Sequence, residues 1–155
     1  MTRFDDLLLP ATVIASVSAS NKKTLINQLA SVAAHVHGLD AKQVAATLTD
    51  RERIGSTGFG GGIAIPHGKF PGLPKIIGVF ARLAAPIDYQ AIDELPVDLV
   101  FMMLSPPDAG AEHLKALAGV SRRLRDQGFV AKLRGAGSAD ALYVLWTADE
   151  TRDAA

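Results

Sequence analysis

One histidine lies in a segment whose residue types suit it for chemistry. Residues 56–69 contain a glycine run, a short apolar stretch, a proline and then His67, and the whole chain has four histidines. Pro66 fixes the backbone on the amino side of His67, and Gly68 leaves the backbone free after it. A ring held in this way can bind the backbone through one nitrogen and offer the other to a reactant. The segment therefore predicts a nucleophile or a proton carrier.

The position of His67 along the chain supports this prediction. A short apolar strand is predicted over residues 63–65, so His67 follows a strand end where the backbone must turn. In open α/β sheets, ligands bind beside the ends of the strands. The alternative interpretation is a loop histidine without a role, and the flanking proline and glycine favour the chemical one.

Two further residues are candidates to support chemistry at His67. His113 falls in the first turn of a predicted helix, where the helix dipole disfavours an imidazolium and favours a bound anion. A neutral His113 there can donate one hydrogen bond to a phosphate. Arg51 precedes the glycine run, where a guanidinium can clamp a phosphate. A charged residue near a helix end is also commonly just solvated, and spacing alone leaves both interpretations of Arg51 open.

The glycine run does not match the nucleotide-binding loops. A P-loop has four residues between its first glycine and its Gly-Lys-Ser/Thr. Here five residues separate Gly62 from Gly68, and Phe70 takes the position of the hydroxyl residue. The dinucleotide fingerprint fails because Ile63 stands where its third glycine belongs. We therefore expect no nucleotide cofactor.

Serine-hydrolase and metal sites are not predicted either. Residues 55–58 lack the spacing of Gly-x-Ser-x-Gly. The chain has no cysteine, which removes thiolate ligands and thiol nucleophiles. His35 and His37 are two positions apart on a predicted helix, so they lie on different faces, and both suit the carboxyl end of a helix. The sequence thus predicts no metal.

Composition and charge are those of an ordinary globular domain. The 155 residues fit one domain over 1–155, with a loose tail at about residues 149–155. Hydrophobic residues make up 48%, charged residues 21%, and the formal net charge is zero, which argues against nucleic-acid binding. No apolar run approaches about 20 residues, and the start lacks a signal-peptide pattern. We therefore expect no membrane insertion and a cytoplasmic protein.

Helix and strand patterns alternate along the chain, which predicts an α/β fold. The predicted helices, with candidate capping residues in parentheses, are 21–37 (Ser20, Gly38), 41–52 (Asp40), 110–127 (Gly128), 129–133 and 139–146 (Ser138). The predicted strands are 63–65, 76–83 and 97–104, and residues 86–89 are interpreted as a bend or a short edge segment. The apolar side of helix 110–127 is predicted to consist of Leu114, Leu117, Val120 and Leu124.

Motifs spread over most of the chain resemble those of one protein family. They are Arg51-Glu52, Ser56-Thr57-Gly58, Gly62-Ile-Ala-Ile-Pro-His-Gly-Lys69, Pro86-Ile-Asp, Ala91-Ile-Asp, Pro96-Val-Asp-Leu and Glu112-His113-Leu114. In this order they resemble the IIA components of the bacterial phosphoenolpyruvate-dependent phosphotransferase system, mannitol/fructose type, and in particular its nitrogen-regulatory branch. The resemblance implies an α/β fold with a single mixed β-sheet of about five strands, flanked by helices on both sides.

The resemblance also implies roles for individual residues. His67 matches the phosphorylated nucleophile, His113 the second active-site histidine, and Arg51 the arginine that precedes the nucleophile. The implied activity is that of a phosphotransferase that carries phosphate on histidine, with no metal or cofactor. An HPr-like carrier would be the donor, and regulated partners would include potassium transporter or sensor kinase components. Gly61 replaces the family's usual asparagine, so we expect a supporting contact near the site to be missing.

Two alternative functions use the same residues. One is a sugar-specific IIA subunit that passes phosphate to a separate IIB protein, and the other is an interaction module that is not phosphorylated. In the phosphorylated cases, neutral imidazole is a competent nucleophile near pH 7 because its pKa lies close by. A backbone carbonyl that accepts from Nδ1–H would direct the lone pair of Nε2 towards the donor.

Overall fold

The computed structural model describes residues 3–154, with side chains described through residue 148. The helices are α1 (Phe4–Leu7), α2 (Lys22–His37), α3 (Ala41–Ile54), α4 (Gly110–Arg125), α5 (Gln127–Gly135) and α6 (Ala139–Ala154), with a 3-10 helix at Pro10–Thr12. The strands are β1 (Val13–Val17), β2 (Gly58–Gly60), β3 (Ile63–Ala64), β4 (His67–Lys69), β5 (Ile77–Ile87) and β6 (Val97–Ser105).

The strands form one mixed sheet. Their order is β1-β5-β6-β3-β2, and β4 also pairs with β6. The central strand β6 is antiparallel to β5 and parallel to both β3 and β4. β1 runs parallel to β5, and β2 runs antiparallel to β3. The prediction of a single mixed sheet is confirmed, with six strands in the described part of the chain where about five were expected.

Helices cover both faces of the sheet, as predicted. On one face, α2 and α3 pack against Val100 and Met102 of β6. On the other face, α1, α4, α5 and α6 pack against Phe80 and Phe101 around the fully buried Trp146. Because β6 contributes alternate side chains to two cores, its sequence is almost continuously apolar. The strand β6, which pairs with the strand that carries His67, is thus packed on both faces.

The ends of α2 and α3 agree with the predictions in part. Gly38 ends α2 in a left-handed conformation, and the side chain of Asp40 caps α3, both as predicted. The predicted cap Ser20 is wrong, because α2 begins one residue later and the side chain of Asn21 accepts from the first turn instead. The helix α3 continues past its predicted end at residue 52, so Arg51 lies inside its last turn.

The predictions for α4 were wrong in two respects. Gly128 does not end this helix, because Asp126 terminates it and then caps α5 by accepting from backbone amides of that helix. Leu114 is not on the apolar side, since it is 67% exposed. The buried residues of α4 are His113, Ala116, Gly119, Val120 and Leu124. The buried stripe therefore starts at His113, which points this side chain at the sheet.

The strand β5 is longer than predicted. It continues beyond residue 83 to Ile87, so the segment interpreted as a bend begins inside the strand. Its register against β6 shifts between Arg82 and Ile87. This irregularity accommodates Pro86, which has no N–H group to donate to a neighbouring strand.

Two predictions concern the chain as a whole. The single domain over 1–155 and the loose tail over 149–155 stay predictions, because the side chains of residues 149–155 lie outside the described part. Within that described part, no helix combines the length and the apolar character that a membrane crossing requires.

Candidate functional site

Pro66 separates two short strands that pair with the same neighbour. β3 lies parallel to β6, and β4 resumes the same parallel pairing further along β6. Pro66 cannot donate to the ladder because it lacks an N–H group, but its carbonyl accepts from the amide of Met103 at 2.9 Å. His67 is therefore the first residue of β4. The prediction that His67 follows a strand end is confirmed, since β3 ends at Ala64. The predicted turn of the chain is wrong, because the chain continues along β6.

The ring of His67 is fixed by the backbone of its own segment. Its Nδ1 lies 2.7 Å from the carbonyl oxygen of Ile65. A carbonyl oxygen only accepts hydrogen bonds, so Nδ1 carries the proton. In the neutral ring, Nε2 then holds the lone pair. The contact expected from the sequence is present, and it leaves Nε2 as the nucleophilic atom.

Gly68 is needed for space rather than for backbone freedom. Its φ is not positive, so the freedom expected of this glycine is not used. A Cβ at this position would lie 2.7 Å from Cγ2 of Thr47 on α3. At that distance either the Thr47 side chain or the neighbouring backbone would have to shift. Gly68 therefore allows α3, which carries Arg51, to approach the strand that carries His67.

The structure brings His113 next to His67, as the sequence predicted. The two ring centroids are 5.6 Å apart and the planes are inclined by 51°. His113 is buried, and its Nδ1 lies 2.7 Å from the hydroxyl oxygen of Ser105, the last residue of β6. If that hydroxyl donates to Nδ1, the proton of His113 resides on Nε2. The two rings, one bonded to a backbone carbonyl and the other to a hydroxyl, thus meet at one end of the sheet.

The surroundings of both rings favour the neutral form. Burial is the main cause that lowers the pKa of His67, and the positive charge of Arg51 lowers it further. The hydrogen bond to Ile65 and the negative charge of Glu52 oppose this shift. Burial likewise lowers the pKa of His113, with contributions from His67 and Lys69. At neutral pH both rings are therefore available as unprotonated groups.

Arg51 lies in the last turn of α3 with its guanidinium held in place. Its Nη1 donates to the carbonyl oxygen of Gly55 at 2.9 Å. The side chain is only partly buried, and its charge acts on His67. A guanidinium has five N–H donors, so one bond to Gly55 leaves donors for a second, anionic partner. The other two residues predicted from the sequence, His113 and Arg51, thus both lie near His67.

Sequence reasoning missed a polar cluster beside these residues. Glu52, with 5% of its side chain exposed, pairs with Lys22 of α2 at 2.7 Å. The Glu52 carboxylate also accepts from the amide and the hydroxyl of Thr57, whose hydroxyl lies 3.1 Å from the hydroxyl of Tyr89. Burial raises the pKa of Tyr89 above its ordinary range. The motifs containing Glu52 and Thr57 were visible, but nothing in their spacing revealed this contact.

The glycine turn before β3 is held by acidic and basic side chains. Gly61 has φ of +68° and lies exposed, with open space where a Cβ would be. Its amide donates to Asp93, and its carbonyl accepts from Arg134, which also pairs with Asp98. Asparagine tolerates this left-handed conformation better than most residues. The left-handed conformation and the open space at Gly61 are thus compatible with an asparagine, and the loss of a supporting contact there stays a prediction.

Metal binding has no basis in the described side chains. Among residues 3–148, no three side chains of histidine, aspartate or glutamate converge as a metal ion would require. The side chains that act on the His67 ring or lie against it include the guanidinium of Arg51, the carboxylate of Glu52 and the imidazole of His113. Of these, the guanidinium and the imidazole suit an anion that is held by hydrogen bonds and charge.

Comparison with known proteins agrees with this geometry. The family model described as phosphoenolpyruvate-dependent sugar phosphotransferase system, EIIA 2, matches residues 6–147. A nitrogen regulatory protein of Bradyrhizobium diazoefficiens is 47% identical over 138 residues, which covers 89% of this chain and 90% of the relative. A fructose-specific EIIA component of Haloferax volcanii is 37% identical over 120 residues, covering 77% and 78% of the two chains.

A solved structure supports the same assignment. The crystal structure of the nitrogen regulatory protein IIA-Ntr from Neisseria meningitidis superimposes with a TM-score of 0.88 at 29% identity, covering 93% of this chain and 99% of that one. The resemblance inferred from the motifs is confirmed. The chain belongs to the EIIA 2 family of the phosphoenolpyruvate-dependent sugar phosphotransferase system and is similar to its nitrogen regulatory members.

Proposed function

We propose that this protein is a phosphocarrier that accepts a phosphoryl group on Nε2 of His67 and regulates other proteins through that modification. The observation that carries the proposal is the bond from Nδ1 of His67 to the carbonyl of Ile65, at 2.7 Å. It fixes the tautomer with a free lone pair on Nε2 and sets the direction of that lone pair. The donor is a phosphohistidine of an HPr-like carrier protein.

The transfer needs no metal and no proton transfer. Nε2 of His67 attacks the phosphorus of the donor phosphohistidine, and a new N–P bond forms as the donor N–P bond breaks. The electron pair of the broken bond stays on the donor ring nitrogen. The His67 ring becomes positively charged because Nδ1 keeps its proton, and the Ile65 carbonyl stabilises that charge. Neutral His67 is the reactive form, which its lowered pKa favours.

Arg51 and His113 stabilise the phosphoryl group during its transfer. A transferring phosphoryl group is dispersed in charge, so its catalysis consists of positioning and electrostatic support. Arg51 offers the guanidinium donors that Gly55 does not use, and His113 offers Nε2–H when Ser105 donates to its Nδ1. Both act as hydrogen-bond donors to phosphoryl oxygens, while His67 forms the covalent bond.

Phosphorylation provides the regulatory signal. It adds close to two negative charges at a site whose neighbours are Arg51 and a buried carboxylate. A surface that changes charge by this amount can gain or lose a partner. The similarity to nitrogen regulatory proteins supports regulated partners in nitrogen metabolism. The motif resemblance implies that the partners include potassium transporter or sensor kinase components.

Labelling tests the proposal directly. The protein is incubated with labelled phosphoenolpyruvate, enzyme I and an HPr-like carrier. We expect an acid-labile, alkali-stable phosphoryl group in wild type and none in His67→Ala, while His35→Ala, which alters an exposed histidine of α2, is labelled like wild type. Equal labelling of wild type and His67→Ala, or no labelling of wild type, would contradict the proposal and favour an unphosphorylated interaction module.

The second candidate function is a sugar-specific IIA subunit. The 37% identity to a fructose-specific EIIA component favours it. The two functions differ in the fate of the phosphoryl group on His67. Addition of a IIB protein to the labelled chain separates them, because rapid transfer of label to IIB supports the sugar-specific function and retention on His67 supports the regulatory one.

A further inference from the structure

A buried ion pair lies behind the candidate site. Lys22 of α2 and Glu52 of α3 are 2.7 Å apart, and their side chains are 17% and 5% exposed. The ammonium of Lys22 also lies 4.5 Å from the centre of the Tyr89 ring. The pair joins the start of α2 to the end of α3. It is distinct from the residues that we propose contact the phosphoryl group.

Hydrogen bonds connect Glu52 to both Arg51 and His67. The carboxylate accepts from the amide of Thr57 at 3.1 Å and also from its hydroxyl, which closes the turn after α3. The Gly55 carbonyl within this turn holds the guanidinium of Arg51 at 2.9 Å. The Thr57 carbonyl in turn accepts from the amide of Ile65 at 3.1 Å.

Ile65 completes this connection to the nucleophile. Its carbonyl oxygen, 2.7 Å from Nδ1 of His67, fixes the ring. A continuous path of short contacts therefore runs from Lys22 through Glu52 and Thr57 to the residue that orients His67. A branch of the same path, through the turn, orients Arg51. One carboxylate thus sets the positions of two of the three groups that act on the phosphoryl group.

Stability alone does not explain this arrangement. Removing two charges from water is costly, and an apolar pair of similar shape is often as stable as a buried ion pair. A buried pair is instead a good means of fixing one geometry, because any displacement leaves a charge without its partner. The place where that geometry matters is the end of α3 beside His67.

We propose that Glu52, held by Lys22, is a positioning residue that keeps Arg51 and the Ile65 carbonyl in register with His67 for phosphoryl transfer. This inference rests on the proposed function of His67. The charged and titratable groups that act on the His67 ring are Arg51 and Glu52 of α3, while His113 of α4 lies against the ring. Of these, Glu52 carries the negative charge that favours the cationic ring formed in the transfer.

The first test substitutes the carboxylate. Glu52→Gln keeps the shape but removes the charge that holds Lys22. We expect phosphoryl acceptance from the HPr-like carrier to slow by about 10- to 100-fold, since small displacements of reacting groups cost rates of this order. Asp50→Asn, an exposed change in the same helix, is the matched control and keeps the wild-type rate. Thermal unfolding of each variant checks that it is folded.

A second variant keeps the test decisive if Glu52→Gln is unstable. Lys22→Met combined with Glu52→Gln removes both charges and leaves no unpaired ion, so we expect it to fold. We expect it to accept phosphate slowly, as Glu52→Gln does. A folded double variant with the wild-type rate would overturn the proposal.

Two further readouts separate positioning from a general loss of structure. NMR titration of the His67 ring is expected to give a lower pKa in Glu52→Gln than in wild type, because the carboxylate raises it. Combining Arg51→Ala with Glu52→Gln is expected to slow transfer less than the product of the two single effects. An unchanged His67 titration together with multiplicative effects would overturn the proposal. If wild type takes up no label, the proposed function fails, and the titration still decides whether Glu52 acts on His67.

Discussion

His67 and His113 are neighbours whose Nδ1 atoms have different hydrogen-bond partners. Their ring centroids lie 5.6 Å apart, and burial lowers the pKa of both. His67 binds a backbone carbonyl, which can only accept, whereas His113 binds the hydroxyl of Ser105, which can accept or donate. The first partner imposes one tautomer, and the second permits either.

This difference explains why two similar rings are proposed to take different roles. A nucleophile needs a lone pair of fixed direction, which the Ile65 carbonyl provides for Nε2 of His67. A group that stabilises phosphoryl oxygens needs a proton to donate, and the Ser105 hydroxyl allows His113 to keep one on Nε2. The group bound to Nδ1 thus distinguishes the proposed roles of these two histidines.

The largest expected effect comes from replacing each ring by glutamine. His67→Gln abolishes phosphoryl acceptance because an amide does not form the N–P bond. His113→Gln retains a donor and is expected to slow transfer by about 10- to 100-fold, less than the roughly 100- to 1000-fold cost of removing such a donor altogether. Rates of labelling by the HPr-like carrier measure both. Similar losses in the two variants would show that the rings do not differ in role.

The next effect concerns Arg51. Arg51→Ala is expected to slow acceptance by about 100-fold, because a preorganised cationic donor to the phosphoryl group is lost. Arg53→Ala is the matched control, since Arg53 is exposed in the same helical turn and pairs with Asp50. Single-turnover labelling measures the rates. Equal rates for the two variants would remove Arg51 from the proposed site.

The sequence was a better guide to which histidines lie together at the candidate site than to the contacts that hold them. The block around Pro66 and His67 predicted the nucleophile, and the turn that contains His113 predicted the second ring. The sequence did not reveal that β3 and β4, on either side of Pro66, both pair with β6. That pairing depends on a strand that lies far away in the sequence. The buried contact between Lys22 and Glu52 joins residues thirty positions apart, and local patterns carry no signal for it.

Gly68 and Leu114 show the same limit of local reasoning. The sequence suggests that Gly68 is there for backbone freedom. In the structure a glycine is required because Thr47 of α3 leaves no room for a Cβ. Leu114 fitted an apolar helical spacing that included Leu117, yet the sheet lies against the stripe that starts at His113. Apolar spacing predicted this helix, but it did not show which of two adjacent residues, His113 or Leu114, faces the sheet.

A smaller effect is expected on the dependence of stability on pH. The lowered pKa values of His67 and His113 mean that the unfolded chain, with pKa near 6.5, binds protons that the folded protein excludes. The free energy of unfolding is therefore undiminished above about pH 6.5 and falls as the pH decreases through the lowered values. Urea unfolding between pH 7.5 and about 5 checks the slope.

A variant without both rings tests which residues cause this dependence on pH. Replacing His67 and His113 together by glutamine is expected to flatten the slope, leaving the contribution of His37, whose pKa burial also lowers. If stability depended on pH as steeply in this variant, without His67 and His113, as in wild type, folding would not protect the two rings from protonation.

The smallest effect is expected at the glycine turn. Gly61→Asn places the family's usual residue at a φ of +68°, where no described atom lies within 4 Å of the new Cβ. We expect phosphoryl acceptance to be unchanged and unfolding to shift by less than about 0.5 kcal/mol, as for surface substitutions in general. A clear gain in the rate of labelling would show that the asparagine supports the site after all.

The central claim is tested most directly by locating the phosphoryl group at atomic level. The wild-type protein, labelled with nitrogen-15 in its histidines, is phosphorylated by the carrier and observed by NMR through nitrogen–phosphorus coupling. We predict coupling to Nε2 of His67, with Nδ1 still protonated and bonded to the Ile65 carbonyl. Coupling to Nδ1 of His67, or to either nitrogen of His113, would contradict the account.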